Sequence, residues 1–171
     1  MIARIVFLLL ITAVGAQIVA AQPNAPRNVR DYYLLLPDKF FETDKDQRVK
    51  LMLDPKRGAI VDAKNGYLLA PGDGAQMSLV VCLFKNHSGT YTIGVDATYS
   101  EDSVYSRLSF YHYVNGGLVE VTKSIVPVAL PEEHRYEMPR YGRTIRVATQ
   151  KRRHLYDLVW NGHRFLIKRA R

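Results

Sequence analysis

Cysteine is almost absent from this chain, since Cys82 is the single cysteine among 171 residues. One cysteine cannot form an internal disulfide, and it supplies no cluster of thiolate ligands for a metal. The five histidines include no pair at i, i+4 spacing, so a helical zinc motif is missing as well. The sequence therefore predicts neither a metal site nor a cofactor.

Motifs that carry catalysis are also missing. The chain has no P-loop, no dinucleotide-binding fingerprint, no G-x-S-x-G motif and no recognisable module for sequence-specific nucleic-acid binding. Acidic pairs occur at Glu101-Asp102 and Glu132-Glu133, but both lie in predicted loops, where adjacent carboxylates usually face solvent. No catalytic residue is assigned, and a non-enzymatic protein is favoured. A hydrolase whose carboxylates come from separate strands stays open as an alternative.

Acidic residues are scarce in the last part of the chain. Residues 140–171 hold ten Lys or Arg residues and one acid, Asp157, within a chain of formal net charge +8. This imbalance favours attraction to anions, so we predict an anionic envelope component or an acidic protein as the partner. A solvated basic surface without a partner is the alternative. The residues assigned to this contact are Arg140, Arg143, Arg146, Lys151, Arg152, Arg153, Arg164 and Lys168.

The N-terminus has the pattern of a cleaved secretory signal. Arg4 precedes the apolar run "IVFLLLITAVGAQIVA", and Val19 and Ala21 place small residues before a cleavage point. The run is short for a bilayer span, which needs about 20 apolar residues, and a retained anchor is the lesser alternative. We therefore predict a signal peptide over 1–21 and an exported, periplasmic or extracellular protein that associates with membranes at most peripherally.

Hydrophobic periodicity divides the rest of the chain. Residues 22–30, "QPNAPRNVR", have little apolar content and predict a flexible lead, and residues 31–171 are predicted to form a single β-rich domain. The stretch "DYYLLLPDKFF" predicts an extended segment laid on the core. Apolar residues at i, i+3, i+4 spacing predict one short helix over 44–53, which Pro55 and Gly58 end.

The apolar period is two from Ala59 onward, which predicts strands. Three Asn-Gly pairs mark hairpin turns, at positions 65–66, 115–116 and 161–162. A two-residue turn at the last pair would place Trp160 opposite His163 and Leu158 opposite Phe165. The fold class is therefore mainly β, an antiparallel sandwich or partly open barrel of about eight or nine strands with one short N-terminal helix.

Two tyrosines on one predicted strand are candidates for an aromatic contact. Tyr111 and Tyr113 project from the same face of "FYHYV". Exposed tyrosines on a sheet can contact a sugar or another protein. Coverage by a second layer, for example the proline-rich connection over 124–142, is the alternative.

Four stretches of the chain, "LLLPDKFFE", "IVDAKNGYL", "LPEEHRYEMPRYGRTIRV" and "LYDLVWNGHRF", resemble small exported bacterial β-rich proteins. The resemblance implies a periplasmic or secreted location and no particular activity. The favoured function is an exported, non-enzymatic binding or interaction module that contacts an anionic partner through its basic C-terminal region. The alternatives are an envelope hydrolase acting on glycan or peptide and a secreted inhibitor of an enzyme.

Overall fold

The fold is mainly β, with ten strands in two antiparallel sheets and few helices. The structure is a computed structural model, and it describes residues 25–41, 44–72, 76–99 and 105–170. The predicted signal peptide lies outside these residues. Within them, the sheets have six and four strands and do not close into a barrel, so the fold is sandwich-like, with more strands than the eight or nine predicted.

The larger sheet is a meander in the order β1-β2-β3-β4-β5-β6. Its strands are β1 (Ile60–Asp62), β2 (Tyr67–Ala70), β3 (Ser78–Lys85), β4 (Tyr91–Thr98), β5 (Ser106–Val114) and β6 (Gly117–Glu120). Strand β3 lies between β2 and β4, and its side chains are buried on both faces of the sheet, as its continuous apolar run indicates. The alternation along β3 buries Cys82 between the sheets, beside Phe84.

The smaller sheet has the order β10-β9-β8-β7. Its strands are β7 (Arg135–Glu137), β8 (Thr144–Ala148), β9 (His154–Trp160) and β10 (Phe165–Arg169). The proline-rich connection carries the chain from β6 in the large sheet to β7 in the small one. It includes the four-residue helix α3 (Thr122–Ile125).

Two apolar cores lie on opposite faces of the large sheet. Adjacent residues of one strand, such as Tyr111 and Phe110, enter different cores because side chains alternate. One core is shared with the N-terminal helices, and the other fills the space between the sheets. Gly94 lies in the second core, where an added Cβ would come within 3.0 Å of Phe84 and Phe110. The close approach of these rings therefore requires glycine.

The N-terminal segment is helical where an extended segment was predicted, so that prediction is wrong. Helix α1 (Val29–Tyr33) begins at the cap Asn28, whose side chain accepts hydrogen bonds from the backbone N–H groups of Arg30 and Asp31. One face of this segment is buried against the large sheet, with the i, i+3, i+4, i+7 spacing of Val29, Tyr32, Tyr33 and Leu36. The packed structure thus begins before residue 31, the predicted start of the domain.

The helix predicted over 44–53 is confirmed as α2 (Lys45–Leu53). Its cap is Asp44, whose side chain accepts a hydrogen bond from the backbone N–H of Gln47. Two short 3₁₀ turns, Asp38–Phe40 and Pro55–Arg57, flank this helix.

The Asn115-Gly116 turn confirms the predicted two-residue hairpin. Val114 pairs with Gly117, and both turn residues have positive φ, 50° for Asn115 and 90° for Gly116. Asn and Gly tolerate these angles better than other residues do. A turn with positive φ at both residues also matches the right-handed twist of the two strands that it joins.

The Asn161-Gly162 turn differs from the prediction by two residues of register. Trp160 pairs with Phe165 across a four-residue loop, because the Asn161 side chain accepts the backbone N–H groups of residues 163 and 164. A shift of two residues in register leaves each side chain on the same face of the sheet, so Trp160 and Phe165 are buried. Ile167, expected in the core, is 42% exposed because β10 is an edge strand with a neighbour on one side only.

Candidate functional site

The eight basic residues assigned from the sequence do not converge on one surface. Arg140 lies against the β1–β2 hairpin of the large sheet, where its Nε donates to Asp62 Oδ2 at 2.9 Å. Arg143 and Arg164 lie at the end of the small sheet that carries the β9–β10 loop. The remaining residues lie on the outer face of that sheet and at its opposite end. The fold thus places these cations, which are close together in the sequence, on separate parts of the surface.

The outer face of the small sheet pairs its cations with acids. Lys168, Asp157, Arg146 and Glu137 are directly opposite one another across β10, β9, β8 and β7, so the charge alternates along this row. Arg146 Nη1 lies 3.9 Å from Glu137 Oε2. Oppositely charged neighbours on a sheet face stabilise each other, and they reduce the field available to an outside anion. This row therefore stabilises the small sheet and is not a binding surface for an anion.

The β8–β9 loop presents the remaining cations. Lys151, Arg152 and Arg153 are consecutive and exposed. Among the residues that the structure describes, none of the three belongs to an ion pair. We call Lys151–Arg153 the basic loop. It is the part of the predicted set in which adjacent cations form no ion pair with a described residue, although Glu133 lines the same surface recess as Lys151 and Arg153.

Hydrogen bonds hold the basic loop in one backbone conformation. The N–H of Thr149 donates to the carbonyl of Arg153 at 2.9 Å, and the N–H of Arg152 donates to the carbonyl of Thr149 at 2.8 Å. The Thr149 hydroxyl also accepts the N–H of Arg153 at 3.1 Å. The cations are therefore displayed by a closed turn.

Arg152 has a φ of 61°, in the left-handed region. A residue with a side chain is less stable there than glycine by about 1–2 kcal/mol. Backbone strain of this kind persists where the surrounding structure fixes it, and it is often found at functional sites. The sequence offered no signal for this conformation, since glycine or asparagine is the usual residue at such a position.

The N-terminal helical segment covers the candidate Tyr111 completely and the candidate Tyr113 in part. Tyr111 is 1% exposed, and Phe40 packs edge-on against it. Tyr113 is half-buried, with its ring 6.3 Å from that of Tyr32 in α1. The covering layer is therefore the N-terminal helical segment, not the proline-rich connection, and Tyr111 offers no free aromatic surface.

A pocket of about 580 Å³ lies at the end of the molecule that carries the β3–β4 and β9–β10 loops. Its lining includes Tyr32 of α1, Tyr91 at the start of β4, and His112 and Tyr113 of β5. His163 of the β9–β10 loop completes one wall. Sequence analysis missed this site because its residues come from four separate segments. The cluster Asn86-His87-Ser88-Gly89 beside Tyr91 was the one local signal.

A chain of hydrogen bonds runs through the pocket wall. The Thr92 hydroxyl donates to Asn86 Oδ1 at 2.9 Å, so it accepts from His112 Nε2 at 3.0 Å. The Asn86 amide donates to Thr90 Oγ1 at 2.8 Å, and the Ser88 hydroxyl lies 2.8 Å from the same oxygen. Burial lowers the pKa of His112, which favours the neutral ring. This part of the wall is thus polar, and hydrogen bonds orient its side chains.

One carboxyl group is buried between the sheets. Asp96 on β4 is 6% exposed, and burial raises its pKa to about 6 although the Ser106 hydroxyl donates a hydrogen bond to it. Burial also raises the pKa of the neighbouring Cys82 thiol. Both groups lie within the closed core, and neither lines the pocket or the basic loop. They therefore belong to the core and affect stability.

Metal and membrane features can be assessed for the described ranges alone. In these ranges, no three residues of the types His, Cys, Asp and Glu are grouped closely enough to hold a metal ion. No helix among the described residues is both long enough and apolar enough to span a bilayer. Comparison of the chain with protein-family models, with curated proteins and with solved structures finds no match.

Proposed function

We propose that this protein is an exported, non-enzymatic binding module that holds an anionic envelope component through the basic loop. The ligand chemistry is a dense array of phosphate or carboxylate groups, on a polymer or on a lipid surface. The observation that carries the proposal is the set of three consecutive exposed cations on a hydrogen-bonded turn, none of which forms an ion pair with a described residue. Arg is suited to such groups because its planar guanidinium donates two parallel hydrogen bonds.

The other predicted cations contribute less to this contact. Arg140 is held by Asp62, and Arg146 and Lys168 alternate with acids on the outer sheet face. The site is therefore narrower than the sequence predicts. The left-handed conformation of Arg152 supports the narrower site, since a cation stands where glycine would be less strained.

The expected strength follows from general electrostatics. Each Lys or Arg close to an anionic membrane surface strengthens binding about fivefold, so three together strengthen it on the order of 100-fold. This attraction weakens with salt, because the Debye length falls from about 10 Å at 0.1 M to about 3 Å at 1 M. Binding through the basic loop should therefore be lost at high salt.

The test uses the mature chain, residues 22–171, with two probes. Vesicles of phosphatidylcholine mixed with phosphatidylglycerol test a lipid surface, and soluble polyphosphate tests a polymer. The loop variant is Lys151→Glu, Arg152→Glu, Arg153→Glu. The matched control is Lys50→Glu, Lys56→Glu, Arg57→Glu, which changes the net charge equally at other exposed positions.

We expect the loop variant to lose binding to at least one probe while the control variant keeps most of it. Equal losses in both variants would show that net charge, not the basic loop, determines the attraction. If the wild type binds neither probe but binds an acidic protein, the partner is a protein and not an envelope component.

A further inference from the structure

We propose that the pocket at the β3–β4 end of the molecule, lined by tyrosine, histidine and hydroxyl side chains, binds a neutral saccharide. This site is separate from the basic loop and does not depend on the function proposed above. Its volume, about 580 Å³, lies within the range of small-molecule sites and accommodates one or two sugar rings.

The pocket lining selects against charged ligands. The chain has 24 Lys and Arg and 16 Asp and Glu residues, yet none of the described residues that line the pocket is one of these. His112 donates from Nε2 to Thr92, and burial lowers its pKa, which favours the neutral ring. An ion that gave up its hydration here would find no Asp, Glu, Lys or Arg side chain in the described lining to compensate the loss.

Aromatic rings supply an apolar surface in the pocket. The ring of Tyr32 lies 6.3 Å from the rings of Tyr91 and Tyr113, at interplanar angles of 71° and 82°. Tyr91 and Tyr113 are partly exposed and Tyr32 is 6% exposed, and each combines an aromatic face with a phenolic hydroxyl. Sugar rings have apolar C–H faces and hydroxyl edges, so they match this combination.

Hydroxyl and amide groups supply the polar part of the match. Ser88 and Thr90 are exposed at the pocket rim, and the Asn86 amide fixes the Thr90 oxygen in position. Each hydroxyl both donates and accepts, which suits the hydroxyl groups of a sugar. Because these groups are already connected through Thr92 to His112, little ordering is needed when a ligand binds.

The pocket wall is rigid because the two sheets are joined beside it. The backbone N–H of His87 donates to the carbonyl of Gly162 at 3.2 Å, and Trp160 Nε1 donates to the carbonyl of Lys85 at 2.9 Å. The ring of His87 also packs against Gly162 and lies 4.5 Å from the ring of His163. These contacts fix the β3–β4 loop relative to the β9–β10 loop.

A peptide is a poorer fit than a saccharide. Peptides that bind at sheets commonly pair with an open strand edge. The strands that line this pocket, β4 and β5, are each paired on both sides in the large sheet. No unpaired strand edge of theirs is therefore offered, and the recognition must come from side chains.

The two sites lie at opposite ends of β9. The basic loop precedes His154, and the pocket loop follows Trp160. Seven strand residues span about 20 Å. A saccharide and an anionic surface can therefore be bound at the same time.

The experiment measures binding of neutral sugars by saturation-transfer NMR and calorimetry at pH 7. The panel contains glucose, galactose, mannose, N-acetylglucosamine and their disaccharides, with glucuronic acid and a tetrapeptide of neutral residues for comparison. Two variants alter the pocket, Tyr113→Ala and Thr90→Val. The matched controls are Tyr141→Ala and Thr144→Val, which change exposed residues outside the pocket.

We expect at least one neutral sugar to bind, with affinity lowered about tenfold by Tyr113→Ala and severalfold by Thr90→Val. The controls should bind as the wild type does, and circular dichroism should show that all variants are folded. Thr90→Val conserves side-chain shape, so it serves as the test if Tyr113→Ala does not fold. The proposal is overturned if no neutral sugar binds, if binding survives both pocket variants, or if glucuronic acid or the peptide binds in preference.

Discussion

Replacement of Asp96 by Asn should stabilise the protein at neutral pH. The carboxyl group lies between the sheets, 6% exposed, and burial raises its pKa from 3.8 to about 6 despite the hydrogen bond from Ser106. The native state thus keeps this proton to a higher pH than the unfolded chain does. Stability that is fully present below pH 4 is lost as the pH rises to about 6. Asparagine does not ionise as the pH rises, and its amide oxygen can still accept a hydrogen bond from the Ser106 hydroxyl.

The size of the effect follows from the pKa difference. Each pKa unit corresponds to about 1.4 kcal/mol, so a difference of about two units gives the variant an advantage of up to about 3 kcal/mol at pH 7–8. The advantage should shrink below about 1 kcal/mol near pH 4, where the native carboxyl is protonated and the unfolded one is only about half ionised. The dependence on pH, not the value at one pH, identifies the carboxyl group as the cause.

Urea unfolding at pH 4, 5, 6 and 8 measures the difference in free energy of unfolding between the two proteins. Ser106→Ala provides a matched control, because it removes the hydrogen bond and leaves the carboxyl group in place. That variant should be less stable than the wild type at pH 8, where the charged oxygen needs the donor. A constant difference between Asp96→Asn and the wild type across this range would refute the reasoning.

Two further substitutions test local features of the fold. Arg152→Gly should raise the free energy of unfolding by about 1 kcal/mol, since glycine adopts the φ of 61° without strain, while it weakens binding to anionic vesicles. Gly162→Ala should cost about 2 kcal/mol more than Gly89→Ala, measured by thermal or urea unfolding. Both glycines have positive φ, but an added Cβ meets the His87 ring at 2.5 Å at Gly162 and no atom within 4 Å at Gly89. Destabilisation by the first change, or equal costs for the two glycines, would contradict these assignments.

Much of the strand pattern could be predicted from the sequence, because side-chain alternation reports which face of a sheet is buried. Asn115-Gly116 shows this directly, since both turn residues adopt the expected positive φ. Loop length was less predictable. At Asn161 the side chain competes with the two-residue turn by accepting two backbone N–H groups, and the register moves by two residues.

Helix α1 was missed although its signal was present. Asn28 precedes a run in which Val29, Tyr32, Tyr33 and Leu36 have the i, i+3, i+4, i+7 spacing of one helical face. The aromatic content and the nearby proline favoured an extended interpretation instead. A helix of five residues is not stable alone, so tertiary packing against the large sheet decides its conformation.

The functional residues were the least predictable. Composition reveals a basic C-terminal region, but it cannot show that the cations of β8 and β10 lie opposite Glu137 and Asp157. Those pairings depend on strand register across the four-stranded sheet. The pocket is harder still, because it joins α1, two loops and β5, which are far apart in sequence. Such a site exists only after the chain has folded.

The salt dependence of binding to phosphatidylglycerol-containing vesicles and to polyphosphate tests the central claim most directly. The wild-type protein should bind at low salt to at least one of these probes, and its affinity should fall steeply as salt is added. The variant with Lys151, Arg152 and Arg153 changed to Glu removes three positive charges and adds three negative ones, so it should bind that probe at least about 100-fold more weakly at low salt and show little further change. Equal affinity and equal salt dependence in the two proteins would contradict the account.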